Sequence, residues 1–126
     1  MQRNTVQRRV ILTTLHTAPG PLTAQEVHLR AQRVHAGIGL ATVYRNLNRL
    51  ADEGGVVEVH LPGETTRFEP AGRGHHHHFR CRSCERVFEL TSSCPVSPLE
   101  GVTLPGGFRV EHHDLTLYGL CASCQS

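Results

Sequence analysis

The chain has 126 residues, a net charge of +2, four Phe, two Tyr and no Trp. That is the length of one ordinary domain or two small ones, with a thin aliphatic core of the kind that a structural metal or dimerisation supplements. No stretch approaches the roughly 18 apolar residues of a membrane span and no signal peptide is read at the start, so a membrane protein is excluded and a cytoplasmic setting is expected. The modest total hides an asymmetry. Residues 1–50 hold Arg3, Arg8, Arg9, Arg30, Arg33, Arg45 and Arg49 against one acid, Glu26, which suggests a basic front module able to meet phosphates.

In chain order, residues 5–16 place Val6, Val10 and Ile11 on one face of an amphipathic helix, ended by Ala18-Pro19-Gly20-Pro21. Leu22, Thr23, Glu26 and Val27 then combine a hydrophobic staple with a capping box, so a second helix is expected from Thr23 to about Val34. The third, over 39–53, repeats Leu40, Val43, Leu47 and Leu50 at threes and fours and stops at Gly54-Gly55. Val56–Leu61 and Thr65–Glu69 read as two strands joined by a turn at Pro62-Gly63-Glu64.

Three helices followed by a hairpin is the order of a winged helix-turn-helix, expected over 1–69. The third helix is then the DNA-reading element, with Thr42, Tyr44, Arg45, Asn48 and Arg49 opposite the leucine stripe and Arg67 on the second wing strand. A solvated polar face on an ordinary core helix has the same composition; the flanking helix and wing favour DNA.

Residues 70–74 are expected as a hinge and 75–126 as a small α/β domain, giving an α+β chain overall. Phe79–Leu90 and Phe108–Leu120 read as strands, with at most one short helix between them. Cys81/Cys84 and Cys121/Cys124 form two Cys-x-x-Cys pairs, the spacing that lets both thiolates of a pair reach one tetrahedral ion. Four thiolates close a structural zinc site with no open position. A redox reading of either pair would want a thioredoxin-like context, which is lacking here.

The tract His75–His78, if extended, turns His76 and His78 to one side and His75 and His77 to the other, so it can serve two further metal sites. Partners for the first are Glu58, Glu69 or His60; for the second they are His112, His113 and Cys94. Imidazole with carboxylate suits zinc, iron(II) or manganese(II) alike. Catalysis is not expected: HExxH, G-x-S-x-G and Gly-rich phosphate loops are all missing. A zinc storage or delivery protein remains an alternative from a different class.

Gly39-Leu-Ala-Thr-Val-Tyr-Arg-Asn-Leu47, His75–His78, Cys81-Arg-Ser-Cys84 and Leu117-Tyr-Gly-Leu-Cys-Ala-Ser-Cys124 together resemble the ferric uptake regulator family. The resemblance spans nearly the whole chain. It implies a dimeric, metal-responsive repressor that binds inverted-repeat DNA and controls metal uptake genes, with a C-terminal dimerisation domain. Carried onto this sequence, it implies structural zinc at Cys81, Cys84, Cys121 and Cys124. A hinge sensor site would use His76, His78 and Glu69 with Glu58, and a third site would use His75, His77 and His113, with Cys94 nearest to the place of an acidic ligand. Pro21 stands where iron and peroxide sensors often carry a ligating His, and Ala71 where zinc sensors commonly carry a Cys. Thr23–His28 and Cys94-Pro-Val look more like the zinc uptake branch, so regulatory Zn2+ is favoured over Fe2+ or Mn2+.

Overall fold

The computed structural model describes residues 2–90 and 101–125, so Cys94 lies outside the described residues. The chain divides into two compact units, Met1–Arg73 and Gly74–Ser126.

In the first unit α1 (Gln2–Thr17), α2 (Ala24–Ala31) and α3 (Leu40–Asp52) pack on a sheet of β1 (Leu22–Thr23), β2 (Val56–Val59) and β3 (Arg67–Pro70). The core joins Ile11, Leu15, Val27, Ile38, Val43, Leu47, Leu50 and Phe68, at least 96% buried each. On α1 the buried face is not the one expected from Val6, which is 41% exposed. Gln7, Ile11, Thr14, Leu15 and Ala18 line the core side, at helical spacings of three and four. Thr14 satisfies its hydroxyl by donating to the Val10 carbonyl at 2.8 Å.

The capping box forms at the start of α2. The Glu26 amide donates to Thr23 Oγ1 at 3.1 Å, and the Thr23 amide donates back to Glu26 Oε1 at 2.9 Å. The helix ends at Ala31 rather than Val34: the amides of Val34 and His35 both turn back to the Ala31 carbonyl, at 3.0 and 2.8 Å, and Val34 has no apolar cover.

The wing has three strands in the order β1-β3-β2, all antiparallel, so β3 is central. That position buries Arg67, whose NH1 donates to Glu26 Oε1 at 2.9 Å and to the Pro21 carbonyl at 3.2 Å. Arg67 thereby ties the wing to the capping box. Thr23→Ala is expected to cost the first unit about 1 kcal/mol, a lost N-cap. Arg67→Ala should cost about 3 kcal/mol, since it strands a partly buried carboxylate as well. Urea denaturation of the two variants compares them directly, and equal costs would refute the link.

In the second unit β4 (His77–Cys81) is central between antiparallel β5 (Val87–Leu90) and parallel β8 (Thr116–Gly119). A separate hairpin pairs β6 (Thr103–Leu104) with β7 (Phe108–Arg109). Each long strand expected from the sequence is therefore two elements. The first reverses on its own cysteine pair: the Glu85 amide donates to the Cys81 carbonyl at 2.9 Å, and Cys81 N–H donates to the Arg86 carbonyl at 3.0 Å. Glu85 takes a left-handed φ of 65°, a position where glycine is at ease.

Candidate metal centres and nucleic-acid face

Parallel pairing of β4 with β8 sets Cys81 opposite Gly119, and the Arg82 amide donates to the Gly119 carbonyl at 2.8 Å. The first cysteine knuckle is thus drawn beside the 3-10 turn Ala122–Cys124 that carries the second. All four sulfurs lie within 4.8 Å of one another, with Cys84 and Cys121 Sγ 3.9 Å apart. A tetrahedron with Zn–S bonds of about 2.3 Å has an S···S edge of about 3.8 Å, so the cluster has the size of a four-thiolate ion site.

Its electrostatics fit a cation equally well. Backbone N–H groups of Cys84 and then Cys121 hold the Cys81 thiol down to about 5. Arg86 Nε donates to Cys84 Sγ at 3.2 Å and lowers that thiol too. Cys124 is pushed up to about 11, chiefly through the neighbouring Cys121 sulfur. A divalent ion held by these four sulfurs would supply the positive charge that a fully ionised cluster needs.

A second cluster joins His75, His77 and His113, each offering a ring nitrogen within 4.8 Å of the others. His77 is buried on β4, and its Nε2 lies 3.3 Å from His113 Nε2. Burial, then the neighbouring rings of His75 and His113, lowers the His77 pKa, which keeps it in the neutral, ligating form at neutral pH. His112, weighed with His113 as a partner, instead sits in the open, 3.2 Å from Asp114.

His76 and His78 come together on the other side of the tract, ring centroids 5.0 Å apart. His76 Nδ1 donates to the Gly74 carbonyl at 2.9 Å, which fixes the tautomer and leaves Nε2 available as a ligand. Glu89, which sequence reasoning missed, is directly opposite His78 in the β4–β5 ladder, and its Oε1 lies 3.9 Å from His76 Nδ1. The hairpin register is the signal that finds it, and that register is invisible while 79–90 is read as one strand.

Among the expected acids, Glu58 and Glu69 do not share a side of the wing. In the antiparallel β2–β3 ladder Glu58 pairs with Phe68 and Glu69 with Val57, so the two carboxylates leave opposite faces. Glu58 is instead 3.1 Å from His60 Nε2, whose Nδ1 lies 3.4 Å from Thr66 Oγ1. A site using Glu58 and Glu69 together is therefore corrected to one acid or the other.

On α3, Val43, Leu47 and Leu50 face the core and leave Tyr44, Arg45, Asn48 and Arg49 exposed. Thr42 is half-buried and its hydroxyl accepts from Arg45 NH2 at 3.0 Å, so it positions that guanidinium. Arg67, expected as a DNA contact, is 5% exposed and committed to Glu26; it is a wing-bracing residue rather than a surface cation.

The sequence profile named "Ferric uptake regulator family" matches residues 2–118. The chain belongs to the ferric uptake regulator family. It is a metal-responsive regulator of that family. The zinc uptake regulation protein of Mycobacterium tuberculosis is 34% identical over 124 residues, covering 98% of this chain and 95% of that protein. The ferric uptake regulation protein of Escherichia coli K12 is also 34% identical, over 80% of this chain and 68% of its own. Among solved structures, a zinc-bound manganese uptake regulator superposes with a TM-score of 0.79 at 30% identity, covering 91% of this chain and 87% of that one. Among the described residues, no helix of this family member is long and apolar enough to cross a membrane.

Proposed function

We propose that this ferric uptake regulator family member is a cytoplasmic, homodimeric, zinc-sensing repressor of metal uptake genes. Structural zinc occupies Cys81, Cys84, Cys121 and Cys124. The sensed ion binds His76 and His78, with Glu89 and an acid of the DNA-binding unit, Glu69, as carboxylate ligands. The carrying observation is the convergence of His76, His78 and Glu89 on one side of β4. His75, His77 and His113 provide an additional site of nitrogen ligands.

Zinc is favoured by the relative from Mycobacterium tuberculosis, whose whole length this chain nearly spans. Dimerisation is supported by apolar side chains left exposed in the strand unit: Leu104, Phe108, Leu117 and Tyr118 are 41–69% exposed. In a dimer, the metal governs how two α3 helices are spaced on half-sites about one helical turn, roughly 34 Å, apart or a multiple of it. Metal and DNA then strengthen each other's binding by the same factor.

Fluorescence anisotropy of an AT-rich inverted-repeat duplex, titrated with the purified dimer under buffered zinc, iron(II) or manganese(II), tests the reading. Zinc is expected to promote binding at the lowest free concentration. A histidine-buffered storage protein would bind zinc with no metal-dependent change in anisotropy. Arg45→Ala is expected to weaken operator binding by about 1–3 kcal/mol, the range of a bidentate base contact, with a smaller loss on scrambled DNA. Equal loss on both duplexes would make Arg45 a phosphate contact instead.

A further inference from the structure

One polar side chain on the core face of α1 is unexplained by packing. Gln7 is 5% exposed, on the stripe otherwise made of Ile11, Thr14, Leu15 and Ala18. Thr14 on that stripe is satisfied by its own helix, whereas the Gln7 amide makes no hydrogen bond among the described residues. The residue is buried as a whole, yet its amide is not among the buried polar atoms that lack a partner, so the amide keeps access to solvent and is free to accept a ligand.

The amide borders a notch of about 80 Å³ between α1 and α3, lined by Gln7, Thr42, Arg45, Asn46 and Arg49. Thr42, Asn46 and Arg49 are spaced four and three apart, so they form the α3 stripe nearest α1, with Arg45 between it and the stripe of Tyr44 and Asn48. The groups left unengaged are mostly donors. Arg45 donates to Thr42 Oγ1 at 3.0 Å and one Asn46 N–H donates to the Thr42 carbonyl at 2.9 Å. That leaves the Thr42 hydroxyl proton, the second Asn46 N–H, the Gln7 NH2 and the Arg49 guanidinium. Among the described residues, no carboxylate lines the notch. A water's share of liquid is about 30 Å³, so the space suits a few waters or the two free oxygens of one phosphodiester.

We propose that Gln7 of α1 and Arg49 of α3, with Thr42 and Asn46 between them, seat a single DNA backbone phosphate and so set the depth and register at which α3 enters the groove. The proposal rests on the DNA-binding reading and gives it a specific anchor. The stripe of Tyr44 and Asn48 is left to read bases, while the α1-side stripe meets the strand's backbone. Contacts of this kind position a protein without carrying sequence information.

The test uses the zinc-loaded full chain and a duplex that it enriches from a random pool. Each operator phosphate is replaced singly by a neutral methylphosphonate, and binding is measured for wild type, Gln7→Leu and Arg49→Gln. Wild type is expected to lose about tenfold in affinity at one phosphate per half-site, in the range of a hydrogen bond to a charged group. Both variants should bind the unmodified duplex about tenfold more weakly and lose nothing further at that phosphate. Gln7→Leu should also keep the melting temperature, because the Gln7 amide makes no hydrogen bond that holds the fold together. A Gln7 that merely holds the fold would lower it. Additive losses at every phosphate, or wild-type affinity for Gln7→Leu, would overturn the seat while leaving DNA binding intact. Failure of the wild-type protein to enrich any duplex would overturn the DNA-binding reading along with it.

Discussion

Cys84→Ser is expected to strip the zinc from the strand unit and unfold it while the winged helix stays intact. The two units differ sharply in what holds them. The apolar core cluster of the described residues, from Ile11 to Phe68, lies in the first unit. Among the described residues after Arg73, the buried apolar side chains are Cys81, Val87 and Cys121, and two of those three belong to the four-sulfur cluster. A small unit of that kind commonly relies on a structural metal or a partner for its stability. Structural zinc in small sites is worth about 10–16 kcal/mol of apparent binding free energy at pH 7, and without a preformed site in the unfolded chain that energy is folding energy. A serine hydroxyl is no thiolate at neutral pH, so three ligands remain for a four-ligand ion. Metal analysis after gel filtration should find the four-sulfur zinc gone. Hydrogen exchange should show amides of β4, β5 and β8 unprotected, and those of α1 to α3 still protected. A full complement of zinc with unchanged melting would remove the four-sulfur site from its structural role.

How much of this was legible in the sequence follows the range of the forces involved. Short-range signals read well: the Thr23/Glu26 box forms as the spacing predicts, and Val43, Leu47 and Leu50 are buried as their periodicity predicts. The approach of the two cysteine pairs was legible too, because a tetrahedral ion leaves few arrangements for four thiolates. What failed needed a partner strand. The two residues of β1 carry no strand pattern of their own, yet pairing with β3 makes that strand central and buries Arg67, which reads as a surface cation in an isolated hairpin. Glu89 became visible only once β5 was folded back on β4. Gln7 was missed for a related reason. Apolar pattern alone put Val6 on the inner face of α1, whereas packing of Ile11 and Leu15 rotates the helix so that a glutamine points inward.

His78→Ala should separate sensing from folding. His78 sits on β4 opposite Glu89 on one side and Thr116 on the other, pairings made by the backbone that alanine retains. The four-sulfur site and the apolar core are both elsewhere, so zinc at the cysteines and the melting temperature are expected to stay at wild-type values. The regulatory ion loses one of its two imidazoles, and its affinity is expected to fall at least a hundredfold, about 3 kcal/mol. A ligand moves a two-state equilibrium only by its preference for one state, and a shift from 1:99 to 99:1 needs about a 10⁴-fold preference. Taking a factor of a hundred from that preference leaves the DNA-competent arrangement near even at best under saturating zinc, and a minority at physiological zinc. Anisotropy titrations of the variant in zinc and in chelator should therefore nearly superimpose over the range that switches wild type. Glu89→Gln should fall between them, since the amide keeps a neutral oxygen donor where the carboxylate stood. Metal-dependent binding by His78→Ala at wild-type zinc concentrations would move the sensor to the other side of β4, most directly to the His75, His77 and His113 cluster.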